Sequence, residues 1–193
     1  MSSLRDRIQL LEDDLKAVPP RISVYHDLPF AILRYDPTEE WVLRRELRLL
    51  ATRLETTGKA VHTIPLSGFL WKAIEGTEGL DEVVELERSR GYLAAQEQVT
   101  TYLSDRDWMP LAKMVQERLN TLDPAKDIAF LTRVAAMAPG IYHMSKLLDQ
   151  IQGRTKVTTI LFYPGSIEGT TGLRFMDLTN RDALGNYRVK IYG

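Results

Sequence analysis

Val157 to Phe175 reads VTTILFYPGSIEGTTGLRF. The first half, Val157–Tyr163, is rich in β-branched, aliphatic and aromatic residues, which suit a packed, pleated surface; it is the clearest strand in the chain. The second half holds three glycines, two adjacent threonines and an arginine, the ingredients of a phosphate-cradling loop. A phosphate loop, however, needs GxxxxGK[ST], so that loop amides surround the phosphates and the lysine neutralises them. Gly165 to Thr171 has one residue too few between its glycines, Thr170 stands in the lysine's place, and Glu168 puts negative charge where phosphate would sit. No amphipathic helix follows Leu173-Arg174-Phe175 to present its N-terminus to an anion. The plainer reading is a connection between two strands, in which the glycines permit positive φ and the threonines bond nearby backbone.

Outward from this stretch the elements alternate. Phe30–Tyr35, Lys59–Ile64 and Asp127–Thr132 read as strands, and Tyr187–Tyr192 as a final edge strand. Leu4, Ile8, Leu11 and Leu15 mark an opening amphipathic helix that Pro19-Pro20 ends. Asp36-Pro37-Thr38-Glu39 reads as a helix start with Asp36 as cap and Glu39 at the capping-box position. The helix that follows carries the stripe Leu43, Leu47, Leu50, Leu54 and stops at Gly58. Ile141, Met144, Leu148 and Ile151 give another helical face, ended by Gly153. From Ser67 to Leu122 there is helical periodicity and no strand, far more chain than one parallel crossover needs. The predicted fold is therefore α/β: a mainly parallel sheet of about five strands with helices on both faces and a helical elaboration, 67–122, between the second and third strands. All 193 residues are expected to form a single domain.

Composition narrows the chemistry. The net charge of −1 gives no overall attraction to nucleic acid or anionic lipid, which makes direct DNA binding a secondary expectation. With no cysteine there is no disulfide, thiolate nucleophile or zinc–cysteine site, and a reducing, cytoplasmic setting is expected. SSLRDRIQLLEDDL lacks the apolar core of a secretion signal, and no run approaches the roughly 20 apolar residues of a membrane span. His26, His62 and His143 fall in separate segments without HxxxH or HExxH spacing, so no metal site is expected. Ser23, Ser67 and Ser145 lack the G-x-S-x-G elbow. The GxGxxG pattern of dinucleotide binding is absent, and DIAFLTR ends in Thr132-Arg133 where a magnesium-binding acid would be needed. The acid pairs Asp13-Asp14 and Glu39-Glu40 fall on helices, where exposure is the default. Glu46 and Glu55, interleaved with Arg44, Arg45, Arg48 and Arg53, read as an ion-paired face whose arginines can also meet an acidic partner. No catalytic residue and no cofactor are assigned.

The carboxyl ends of parallel strands are where ligands and partners meet an open α/β sheet. Arg34, Asp36, Arg133, Tyr163 and Glu168 fall at or just beyond three such ends, and Arg174 follows in the same loop. They are candidates for a polar rim that contacts a partner, with mutual pairing as the plainer alternative. Trp108, set in SDRDWMP among charged and turn-forming residues, is a candidate interface anchor.

Four segments, RISVYHDLPFAILRYDP, RRELRLLATRLE, LFYPGSIEGTTGLRFM and the terminal GNYRVKIYG, together resemble the BrxB family of bacteriophage-exclusion (BREX) defence systems. The resemblance implies a bacterial or archaeal component without an established catalytic residue. It implies an adaptor for another BREX protein, with PglZ as first partner and the ATPase BrxC as second. A nucleotide- or nucleic-acid-binding regulatory domain of the same system is the alternative.

Overall fold

The computed structural model describes residues 2–22, 28–169, 172–178 and 189–193. Ser23, His26, Tyr187 and the loop threonines Thr170 and Thr171 lie outside the described residues. The chain opens with α1 (Leu4–Lys16), capped by Ser3 in a reciprocal box with Asp6. β1 (Phe30–Tyr35) follows, then a 3-10 turn at Pro37–Glu39 and α2 (Glu40–Glu55). β2 (Ala60–Pro65) leads into four helices, α3 (Leu66–Glu75), α4 (Leu80–Arg90), α5 (Tyr92–Ser104) and α6 (Leu111–Leu119). β3 (Asp127–Thr132), α7 (Met144–Ile151), β4 (Thr158–Glu168), β5 (Gly172–Phe175) and β6 (Lys190–Tyr192) complete the order.

The sheet runs β2-β3-β4-β1-β6, and every pairing along that path is parallel. β5 pairs antiparallel with the distal part of β4 only. The α/β class, the parallel sheet with helices on both faces, and the helical elaboration between the second and third strands are as expected from the sequence.

Side chains alternate across each strand and build two cores. Ala31, Leu33, Tyr35, Phe130 and Phe162 face α1 and α2, whose stripes Leu4-Ile8-Leu11-Leu15 and Leu43-Leu47-Leu50-Leu54 cover them. Phe30, Ile32, Leu131, Leu161 and Tyr163 face the other way, toward α3, α5, α6 and α7. The residue 67–122 block is thus mainly a cover for this second face. Its exception is α4, which buries no residue and packs mostly on α5.

Two local readings need correction. Glu39 does not close a capping box: Asp36 takes the Thr38 amide, a 3-10 turn forms, and α2 begins one residue later. β4 does not end at Tyr163 but continues to Glu168, because β5 folds back to satisfy its outer edge.

Candidate functional site

The turn after β1 lies where a phosphate loop would follow the strand. Asp36 fills it: its carboxylate accepts from the Thr38 amide at 2.9 Å and from the Thr38 hydroxyl at 2.6 Å. The Glu39 amide donates to the Asp36 carbonyl at 2.8 Å. These two hydrogen bonds from Thr38 hold the Asp36 carboxyl below its ordinary pKa, so the turn keeps a fixed negative charge. Beneath it lies Arg7 of α1, 4% exposed, with an Nη 3.8 Å from Glu39. Burial and, after it, the charge of Arg34 lower the Arg7 pKa. The Nε atoms of Arg7 and Arg34 are buried without a hydrogen-bond partner.

The glycine-rich stretch is a β-hairpin. Gly165 pairs with Phe175, Ser166 with Arg174, Ile167 with Leu173 and Glu168 with Gly172. Gly165 is required there: with φ +143, a Cβ would stand 1.9 Å from the Arg174 carbonyl oxygen. Glu168 and Arg174 form an ion pair across the hairpin. Tyr163 does not belong to an open rim; it is 3% exposed, edge-on to Phe175 at 5.6 Å, with its hydroxyl donating to the Leu173 carbonyl at 3.4 Å. The hairpin covers it, which a strand ending at Tyr163 would not have done.

The candidate residues thus divide. Arg34 is in register with Tyr163, and Asp36 follows one residue past the end of β1. Glu168 and Arg174 neutralise each other. Trp108 lies in the α5–α6 connection, 38% exposed, with its ring tilted on Tyr102 at 5.2 Å between centroids. Arg133 stands alone at the end of β3, exposed, in the left-handed conformation at φ 57, ψ 35. A branched-free but bulky side chain pays strain there that glycine would not.

Arg133 borders a cleft of about 480 Å³ between α2 and the ends of β2 and β3. Its floor is apolar, with Leu43, Leu47 and Ala51 on α2 and Pro65 on β2. Its rim carries Arg44, Arg48 and Arg133 together with Glu40 and Glu55. Arg44 bonds Glu40 at 2.7 Å, and Glu40 in turn accepts from the Tyr35 hydroxyl. Burial, then that carboxylate, raises the Tyr35 pKa, so the phenol stays a donor. Arg48 and Arg133 make no ion pair among the described residues. Just outside the rim, Trp41 is 75% exposed, with the Arg44 guanidinium 4.3 Å over its ring. Sequence reasoning named Arg44 and Arg48 only as part of a charged face and did not single out Trp41. The available signal was spacing: Trp41, Arg44, Arg48 and Glu55 recur at intervals that put them on one side of a helix.

Among the described residues no group of three or more potential metal ligands is present, and no helix is long and apolar enough to cross a membrane.

The fold is a five-stranded parallel layer with an antiparallel hairpin, and its first strand-end turn carries a carboxylate. Residues 62–191, about two thirds of the chain, match the family model described as BREX protein BrxB. The chain belongs to the BrxB family and is a component of a BREX phage-exclusion defence system, whose other proteins are its expected partners. The match begins at His62, so the first two segments of the resemblance, 21–37 and 44–55, lie outside it. No curated protein and no solved structure is a significant match.

Proposed function

We propose that this BrxB-family chain is a non-enzymatic adaptor that binds another BREX protein through protein–protein contacts, PglZ first and BrxC second. The observation that carries the proposal is the Asp36 turn. Its amide and hydroxyl donors are spent on its own carboxylate, and that carboxylate occupies the place of a phosphate. The hairpin at Gly165–Phe175 likewise spends its backbone on strand pairing. What remains exposed suits contact: Trp41 and the unpaired arginines Arg48 and Arg133 belong to the residue types that anchor interfaces.

The test is capture of purified PglZ and BrxC by the full chain at micromolar concentration, beside a thermal-shift screen with nucleotides. The expected outcome is a stoichiometric complex with one of the two and no nucleotide shift. A ligand at a hundred times its Kd stabilises by about 2.7 kcal/mol, well within reach of such a screen. Absence of both complexes, or a saturable nucleotide shift, rejects the adaptor reading.

A further inference from the structure

β2 is the end of the parallel layer, and among the described residues no strand pairs with its outer edge. The Ala60 amide donates to the Lys126 carbonyl at 2.9 Å, on the β3 side. In a parallel strand, alternate residues address opposite neighbours, so Val61 and Thr63 turn their amides and carbonyls to the open edge. Pro65, without an amide, marks where that row stops. The strand AVHTIP has none of the lysines or bulges that usually blunt an edge. Thr63 is exposed although the strand belongs to a sheet with helices on both faces, because α2 covers β2 only in part: Val61 packs against the α1–α2 core, while Thr63 and Pro65 open into the cleft.

We infer that the free edge of β2, together with the cleft beside α2, receives an extended acidic segment of a partner protein, added to the sheet as a further strand. The adaptor reading enters only in saying which protein supplies the segment. The free edge selects an extended chain: a strand can answer its row of outward amides and carbonyls, whereas a helix has spent its own on internal hydrogen bonds. Charge selects the sequence. Arg48 and Arg133 face the cleft unpaired, Arg44 is already bound to Glu40, and Glu55 is the one opposing charge, so the lining keeps a net charge of +1 that an acidic side chain between Arg48 and Arg133 would meet. Every second residue of an added strand points to the α2 side, so acidic side chains there meet the two arginines and apolar ones rest on Leu43, Leu47 and Ala51. Trp41 stands at the mouth beside them. Nucleic acid is disfavoured because the bare edge offers amides and carbonyls in alternation, which a polypeptide backbone can answer and a phosphodiester backbone, having no donor, cannot.

The experiment uses the full chain and a synthetic peptide of about ten residues, the length of a long strand, with threonine at every second position and glutamate and valine taking turns at the positions between, so that one face carries both. A lysine–valine peptide serves as control. Binding is followed by tryptophan fluorescence in a Trp71→Phe, Trp108→Phe background that leaves Trp41 as the reporter, and by exchange protection of the Val61 and Thr63 amides. The expected result is protection of those two amides by the acidic peptide only, with affinity falling roughly tenfold or more in Arg48→Glu and in Arg133→Glu. Thr63→Pro, which removes one outward amide and no charge, is expected to weaken the same binding. No protection, equal binding of the lysine peptide, or indifference to both charge reversals overturns the inference. A dimer in sedimentation that Thr63→Pro dissolves assigns the edge to a second copy and overturns it too. PglZ capture runs in parallel. Capture of PglZ without peptide binding sinks the cleft and leaves the adaptor standing; peptide binding without capture of PglZ or BrxC does the reverse.

Discussion

The two faces of the sheet are held by different forces. Toward α3, α5, α6 and α7 the contacts are almost wholly apolar, from Leu66 and Tyr102 to Ile151. Toward α1 and α2 an apolar stripe is flanked by charge. Glu12, 2% exposed, accepts from Lys16 and from Arg53 of α2 at 2.7 Å. Asp14 accepts from Lys190 and, at 2.7 Å, from the Tyr192 hydroxyl, tying α1 to β6. Glu46 meets Arg5 at 3.3 Å. Four elements and an apolar core fix the first face, and that face needs no directional bonds to set its position. The second has only two helices, which are aligned by ion pairs and cover β2 only in part. The proposed docking surface thereby lies on the side of the sheet opposite the purely apolar scaffold.

The adjacent residues Leu161 and Phe162 test this most severely. They are both fully buried and point to opposite faces of the same strand. Leu161→Ala is expected to cost about 3 kcal/mol and Phe162→Ala about 4 kcal/mol, the latter losing its edge contact with Phe130 at 5.1 Å. Urea unfolding measures both. A cost for Phe162→Ala below about 1 kcal/mol would mean that the α1–α2 face is loosely filled, and the comparison would fail.

A second test separates charge from packing. Glu12→Gln leaves Lys16 and Arg53 without their carboxylate, but both reach water, so the expected cost is about 1–2 kcal/mol and not the larger penalty of a stranded buried ion. Acid should act on the same joint. Burial alone would raise the pKa of Glu12, but hydrogen bonds from Lys16 and Arg53 outweigh it and hold the folded value below the ordinary one. Asp14 behaves alike, with burial outweighed by Lys190 and Tyr192. A depressed folded pKa contributes stability above the unfolded value, and that contribution is lost as pH falls through the folded value. Hydrogen exchange is therefore expected to show α1 opening first on acidification, while the α3, α5 and α6 amides stay protected. Simultaneous loss of both sets would show that the charges are incidental.

This division of labour was only half legible in the sequence. Phe30–Tyr35 and Asp127–Thr132 were readable to the residue, because buried parallel strands are short apolar runs between turn signals. The breaks at Gly79 and Gly91 that separate α3, α4 and α5 follow from glycine at positive φ. Asp14 and Glu40, taken as solvated by default, are instead bonded to Tyr192 and Tyr35, partners 178 and 5 residues away. Local charge patterning carries no signal for the distant bond. Nor does it tell how many helices land on each face, which is why the bare edge of β2 and the exposed side of Trp41 were not foreseen. Of the proposed rim, Arg133 stays exposed, Tyr163 is buried by a hairpin, and Glu168 is paired to Arg174, six residues further on.

Arg133 supplies the finest test, because there stability and contact pull apart. Its φ of 57 costs a side chain about 1–2 kcal/mol relative to an unstrained position. Glycine removes that strain but adds freedom to the unfolded chain, about 0.5–1 kcal/mol in the opposite sense. Arg133→Gly is then expected to be neutral or stabilising by up to about 1 kcal/mol in urea unfolding, since the guanidinium has no ion pair among the described residues to lose. Partner or acidic-peptide binding should weaken in the same variant. A more stable protein that binds less well would mean that the side chain is kept in a strained place for what it touches outside the chain. A destabilised one would make Arg133 part of the scaffold and erase the contrast between the two faces at the point where it is sharpest.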